Sequence, residues 1–233
     1  MKKNILIVGG SSGLGLDLAR HYVREGHGVC LTGRHDPGLS GARYVELDID
    51  ADGAHLNRGI DQLLENFPVV NTLIYSAGFC QRATIDGLST ADITQMVNVG
   101  LVAPMLLVQR LKNHLDTPLK VMLITSSSQY TARETEPVYC ATKAGLGMFG
   151  ACLALDRKVG KVLVAAPSGM KSPFWRHSDN DVSEMLETQW VAARIVELSS
   201  GAFKYKFAKI LRNPQGIVVE ECLDDALQPI ECQ

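Results

Sequence analysis

The first fifteen residues constrain this chain most. Asn4–Val8 is a short apolar run that passes directly into Gly9-Gly10-Ser11-Ser12-Gly13-Leu14-Gly15. A run that short and that apolar reads as a strand buried on both faces. Leu16, Leu18, Ala19, Tyr22 and Val23 then recur at helical spacing, predicting a helix over residues 16–25. Glycines let the backbone turn tightly and approach an anion closely. The helix start adds free N–H groups and the positive end of the helix dipole. The spacing is GxxxGxG, and Gly9, Ser11, Ser12, Gly13, Leu14 and Gly15 are the predicted cradle of a dinucleotide.

The same alternation continues along the chain. Further strands are predicted at residues 28–32, 42–47, 70–75, 119–125, 161–165 and 216–220. Helices are predicted at residues 54–66, 90–114 (bent near Pro104), 137–156 and 184–198, with Pro137 placed in a first turn. Alternating strands and helices imply one α/β domain, a doubly wound parallel sheet of Rossmann-like order 3-2-1-4-5-6-7. Residues 168–187 are polar and lack periodicity, which predicts a mobile substrate loop carrying Phe174, Trp175 and His177.

Composition removes several function classes. A net charge of −2 in 233 residues makes no case for nucleic-acid or membrane-surface binding. No uninterrupted apolar run approaches the roughly 18 residues that cross a bilayer. Met1-Lys2-Lys3-Asn4 is basic but leads into a strand, not into a signal peptide. The six cysteines form no CxxC pair and the six histidines no cluster, so no metal site is expected. Buried free thiols in a reducing cytoplasm are the expectation.

Gly33 and Arg34 follow the second strand, where many NAD-binding folds place a carboxylate for the ribose 2′-hydroxyl. A guanidinium there suits a 2′-phosphate and favours NADP over NAD. Asp48, after the third strand, is placed for the adenine amino group, with Ile49 on the ring; a plain turn aspartate fits the residue almost as well.

Tyr139 and Lys143 stand four apart on a predicted helix, hence on one face. A free phenol has a pKa of about 10. A cation about 4 Å away, at an effective dielectric of about 20, is worth roughly 4 kcal/mol and would lower that pKa by about three. The pair is thereby predicted to trade protons with an alcohol or carbonyl.

These motifs together resemble the short-chain dehydrogenase/reductase family, over nearly the whole chain. The glycine turn is similar to the family's TGxxxGxG. Ser76-Ala77-Gly78 resembles its NNAG segment, with Tyr75 and Ser76 in place of both asparagines, and Ala77 and Gly78 leaving room for the cofactor. Asn98 matches the asparagine that opens the long helix for a proton-relay water. Ser126, thirteen positions before Tyr139, has the spacing of the catalytic serine, and a one-residue loop deletion would promote Ser127 instead. Tyr139 and Lys143 match YxxxK. Pro167-Ser168-Gly169 resembles the Pro-Gly turn, with Ser172 near the nicotinamide amide.

The resemblance implies hydride transfer between NADP and a small carbonyl or alcohol. Ser126 would bind the substrate oxygen, Tyr139 exchange the proton, Lys143 hold the ribose and tune the tyrosine, and Asn98 connect Lys143 to water. Given NADPH, carbonyl reduction is the expected direction. Gly145, Gly147 and Gly150 on the Tyr–Lys helix suggest close packing, and with the family's four-helix contact imply a homodimer or homotetramer. The alternatives are a non-enzymatic dinucleotide-binding sensor of the same fold, which would need no tuned phenol, and a nucleotide-sugar epimerase or dehydratase. The latter would need more chain than the roughly 60 residues after Pro167.

Overall fold

A computed structural model describes residues 2–115, 117–176 and 181–231. The chain runs β1 (Asn4–Val8), α1 (Gly13–Arg24), β2 (Gly28–Gly33), β3 (Ala42–Glu46), α2 (Gly53–Asn66) and β4 (Thr72–Tyr75). It continues through α3 (Thr90–Val97), α4 (Ala103–His114), β5 (Leu119–Ile124), α5 (Pro137–Ala154) and β6 (Val159–Pro167). Two-residue strands β7 (Met170–Lys171) and β8 (Leu186–Glu187) precede α6 (Thr188–Leu198), β9 (Tyr205–Arg212) and β10 (Gln215–Leu223).

The main sheet has the order β3-β2-β1-β4-β5-β6-β9-β10. The expected 3-2-1-4-5-6 core is present and parallel. The seventh position differs from expectation. It is filled by β9, parallel to β6, while the segment predicted as last strand belongs to β10, antiparallel at the edge. Lys204, Lys206 and Lys209 had hidden β9 by interrupting its apolar pattern. Lys206 is nonetheless buried, its ammonium donating to the Leu198 carbonyl at the end of α6 at 3.1 Å.

Strand alternation builds a core on each face. Leu6 and Val8 of β1 join Leu56, Ile60, Leu107 and Leu146 in one core. Ile5 and Ile7 join Leu18, Val191 and Ile195 in the other. Side chains two apart point the same way, so one strand serves both layers. Two helices start on built caps: Asp52 accepts from the N–H groups of Ala54 and His55 at α2, and Ser89 and Asp92 form a reciprocal capping box at α3.

Pro104 stands in the first turn of α4, and the irregular stretch of the long helix precedes it. Asn98–Val102 is π-helical and joins α3 to α4. Thr90–His114 taken whole is a 25-residue helix, long and apolar enough by composition to cross a membrane. Here it is a layer of the domain, packed against α2 and α5. Within 168–187, β7 pairs with β8 and Pro173–Trp175 forms a 3-10 turn; His177 lies outside the described residues. The thiols also differ from expectation. Cys30 is free and buried, Cys80, Cys140 and Cys152 are free and at least partly exposed, and Cys222 is disulfide-bonded.

Candidate active site

A cleft of about 550 Å³ lies at the carboxyl ends of the parallel strands, where open α/β sheets bind ligands. Gly9, Ser11, Ser12, Gly13, Leu14 and Gly15 line it, together with Arg34, Asp48 and Ile49 and with Ser126, Tyr139 and Lys143. Ala77, Gly78, Pro167 and Ser172 also line it.

The glycine turn is built for close approach. Gly9 has φ 82°, and a Cβ there would lie 2.6 Å from the Ala77 nitrogen. A Cβ on Gly15 would meet the Gly9 carbonyl oxygen at 2.1 Å. Ser12 occupies the N-cap of α1 without a side-chain capping bond, so it leaves first-turn N–H groups to an external acceptor. This cradle fits a pyrophosphate. Ser172 folds over it, its Cβ 3.2 Å from where a Gly13 Cβ would stand.

Arg34 is exposed at the rim. Asp36, which could have offset its charge, instead accepts the Gly38 N–H at 2.8 Å within its own loop. Asp48 partly braces its turn by accepting the Asp50 N–H at 2.9 Å, and Ile49 beside it is half-buried.

Asn98 starts the π-helical segment and donates to the Asp50 carbonyl at 3.3 Å. It is not among the residues lining the cleft, although Gln95 and Val99 are. Buried Tyr75 donates its hydroxyl to the Val99 carbonyl inside that segment. A π turn misaligns the helical ladder and frees acceptors, so Tyr75, standing where the family has asparagine, braces the long helix directly.

At the reactive end, the Lys143 ammonium stands 5.5 Å from the Tyr139 ring centroid and donates to the Ile124 carbonyl at 3.0 Å. Lys143 is 3% exposed, and burial lowers its pKa from 10.5 to about 8. Tyr139 moves opposite to expectation. Burial pushes its phenol well above the ordinary value of 10, Cys80 adds to that, and a hydrogen bond with Ser126 pulls only partly back. Desolvation of both groups outweighs their attraction, so the pair rests as neutral phenol and depressed ammonium.

The two serines are placed differently. Ser126 is the N-cap of the 3-10 turn Ser127–Gln129 and lines the cleft, whereas Ser127 is buried and accepts from Arg133 at 2.7 Å. Phe174, which the sequence places in the substrate loop, has its ring 5.9 Å from that of Tyr139. Sequence reasoning missed Cys80, which carries no motif and bears on both Tyr139 and Lys143. The glycines of α5 also have a different explanation. Their close neighbours are Leu101 for Gly145, Gln129 for Gly147 and Val164 for Gly150, all within the chain.

Residues 3–183 match the family profile described as short chain dehydrogenase. The chain belongs to the short-chain dehydrogenase family. It is 26% identical over 168 residues to the 3-oxoacyl-acyl-carrier-protein reductase MabA of Mycobacterium avium, covering 71% of this chain and 65% of that protein. It is 28% identical over 163 residues to L-xylulose reductase of Caenorhabditis elegans, covering 65% and 64%. The match thus spans just under two thirds of either relative's length. Among solved structures, ElxO with NADP bound superposes with a TM-score of 0.77 at 21% identity, covering 90% of this chain and 97% of that one. This likeness shows the shared fold. Both relatives, MabA and the xylulose enzyme, are named as reductases. Among the described residues, no group of three or more His, Cys, Asp or Glu is placed to hold a metal.

Proposed function

We propose that this short-chain dehydrogenase is an NADPH-dependent carbonyl reductase in which Ser126, Tyr139 and Lys143 act on the substrate oxygen. The observation that carries the reading is that Ser126, Tyr139 and the buried Lys143 ammonium, 5.5 Å from the Tyr139 ring, line one cleft together with the glycine turn. When bound, the nicotinamide supplies the hydride. Ser126 donates a hydrogen bond to the carbonyl oxygen, and Tyr139 gives that oxygen its proton. Lys143 presents positive charge to the phenolate that forms. A phenol held neutral is the acid that reduction needs; alcohol oxidation would first have to ionise it against its burial. Asn98 holds the opened helix behind the site.

Residues 9–15 would hold the pyrophosphate, Asp48 and Ile49 the adenine, Arg34 the 2′-phosphate, and Ala77, Gly78, Pro167 and Ser172 the nicotinamide half. Arg34, exposed where it lines the cleft, supports NADP over NAD. Met105, Met148 and Leu155, exposed at 37%, 65% and 68% on α4 and at α5, support a homo-oligomer through these helices. The test is NADPH consumption against a panel of small ketones, aldehydes and quinones. Turnover by wild type with at least a hundredfold loss in Tyr139→Phe is expected. No turnover, or equal turnover by Tyr139→Phe, refutes the reading.

A further inference from the structure

A second cavity, of about 390 Å³, lies at the edge of the sheet opposite the cleft. Lys3, Thr72, Lys120 and Lys161 line it, at the amino ends of the adjacent parallel strands β1, β4, β5 and β6. Ser199, Ser200 and Gly201, just past α6, line it as well. So do the apolar side chains of Ile5, Met122, Leu163 and Phe203.

The charge there is one-sided. Three lysines line the cavity and no acidic residue does, in a chain whose net charge is −2. Among the described residues, the ion-paired lysines are Lys112, Lys171 and Lys209, none of them here. Lys120 and Lys161 are register partners on β5 and β6. Neighbouring strands lie only about 4.8 Å apart, and like charges directly opposite each other repel. Lys206 adds a fourth ammonium, 4.4 Å from the Phe203 ring centroid, while that of Lys161 stands 4.2 Å from it. Burial, then repulsion from Lys120, Lys206 and Lys3, lowers Lys161 to about 8, with Asp225 acting the other way. Tyr22, 7% exposed and also lining the cavity, brings its hydroxyl toward Ser199 without completing a hydrogen bond. The Ser199 hydroxyl gives its own proton to the Val196 carbonyl at 2.7 Å.

Capping of α6 accounts for part of this cluster. Lys161 donates to the Gly201 and Ser199 carbonyls at 2.5 and 3.5 Å, and Lys206 to that of Leu198 at 3.1 Å, where the helix end is negative. Among the described residues Lys3 and Lys120 make no such bond, and carbonyl dipoles do not cancel whole charges. A cavity lined by one sign of charge concentrates counter-ions. Apolar walls with a few convergent polar groups suit a small organic ligand.

We propose that this cavity is a second binding site, for a small organic anion whose carboxylate or phosphate meets Lys120 and Lys161 and whose apolar part packs on Phe203 and Met122. An anion between the two register partners turns their repulsion into shared attraction. The site stands apart from the reductase reading, and failure of either leaves the other intact.

The probe is benzoate, with benzamide as its neutral isostere, titrated by calorimetry into wild type, Lys120→Gln and Lys161→Gln, with the unfolding transition of each measured. Lys120→Gln leaves the bonds to the end of α6 in place, so it serves if Lys161→Gln folds poorly. Wild type is expected to bind one benzoate per chain, about tenfold more tightly than benzamide, and each lysine variant to weaken benzoate about tenfold, the worth of one charge-assisted hydrogen bond. No saturable benzoate binding, or benzoate held no more tightly than benzamide, overturns the proposal. Benzoate bound equally well by wild type and a folded Lys120→Gln sits elsewhere on the molecule and overturns it too.

Discussion

Lys143 is the residue whose energetics can be worked furthest. Its pKa falls from 10.5 to about 8 on folding because its ammonium is desolvated. For a depressed value the sign is fixed. Between pH 8 and 10.5 the unfolded chain holds a proton that the folded chain has released, so stability rises with pH by about 1.4 kcal/mol per pH unit. The gain is complete above 10.5 and is lost as pH falls through 8, so at pH 7 the buried charge costs the fold about 3 kcal/mol. Lys143→Met keeps the length and removes the charge. It also deprives the Ile124 carbonyl of its 3.0 Å donor, a loss of about 1 kcal/mol. The variant should therefore be about 2 kcal/mol more stable than wild type at pH 7 while losing its activity, a trade of stability for function. By pH 10 most of the wild-type penalty has gone, and the two proteins should unfold at nearly the same urea concentration. Urea unfolding at both pH values with equal m-values measures this. The comparison cancels Lys161 and Lys206, whose values are also lowered. A variant no more stable than wild type at pH 7, or a difference that does not change with pH, refutes the reasoning.

Three other outcomes are expected. Gly15→Ala should abolish dinucleotide binding, measured by calorimetry, because its Cβ would meet the Gly9 carbonyl at 2.1 Å; Gly216→Ala, with nothing within 4 Å, should leave binding intact. Arg34→Ala should weaken NADPH roughly 10- to 100-fold, the worth of one or two charge-assisted hydrogen bonds, and NADH by less than threefold; equal losses for both refute the assignment. The kcat/KM for carbonyl reduction should fall about tenfold per pH unit above about pH 8, as Lys143 in the free enzyme loses its charge; a limb that begins only above pH 10 points to Tyr139 instead.

What the sequence disclosed and what it hid follow physical lines. The β1–glycine–α1 unit was readable because few residues satisfy its backbone: Gly9 needs positive φ, and Gly15 needs the absence of a Cβ. β1, β2 and β4 were readable because they are buried over nearly their whole length, which leaves a short apolar run. β9 was not, since Lys206 is buried through a bond to the end of α6, a partner that periodicity cannot reveal. Ser126 and Ser127 could not be separated by counting, because the 3-10 turn at Ser127–Gln129 decides which hydroxyl faces the cleft. The α5 glycines pointed to close packing correctly, but the neighbours are Leu101, Gln129 and Val164 of the same chain. Tyr75 looked like a departure from a family turn, and only the π segment shows which carbonyl its hydroxyl meets.

The largest gap between spacing and structure concerns Tyr139, and it bears on the direction of the reaction. Spacing put a cation beside a phenol and so predicted an acidified phenol. The missing term was the cost of carrying both groups out of water, which acts on each separately and exceeds their mutual attraction. The result is a pair that attracts weakly while the phenol is neutral and strongly once it has given up its proton, because only then does a second charge stand near the ammonium in a medium of low dielectric. An interaction that grows as the reaction proceeds lowers the barrier, whereas one already present in the resting state does not. Burial that seems to disable Tyr139 as a base therefore suits it to act as an acid, provided that Lys143 remains charged. The same burial sets the upper pH for that condition near 8.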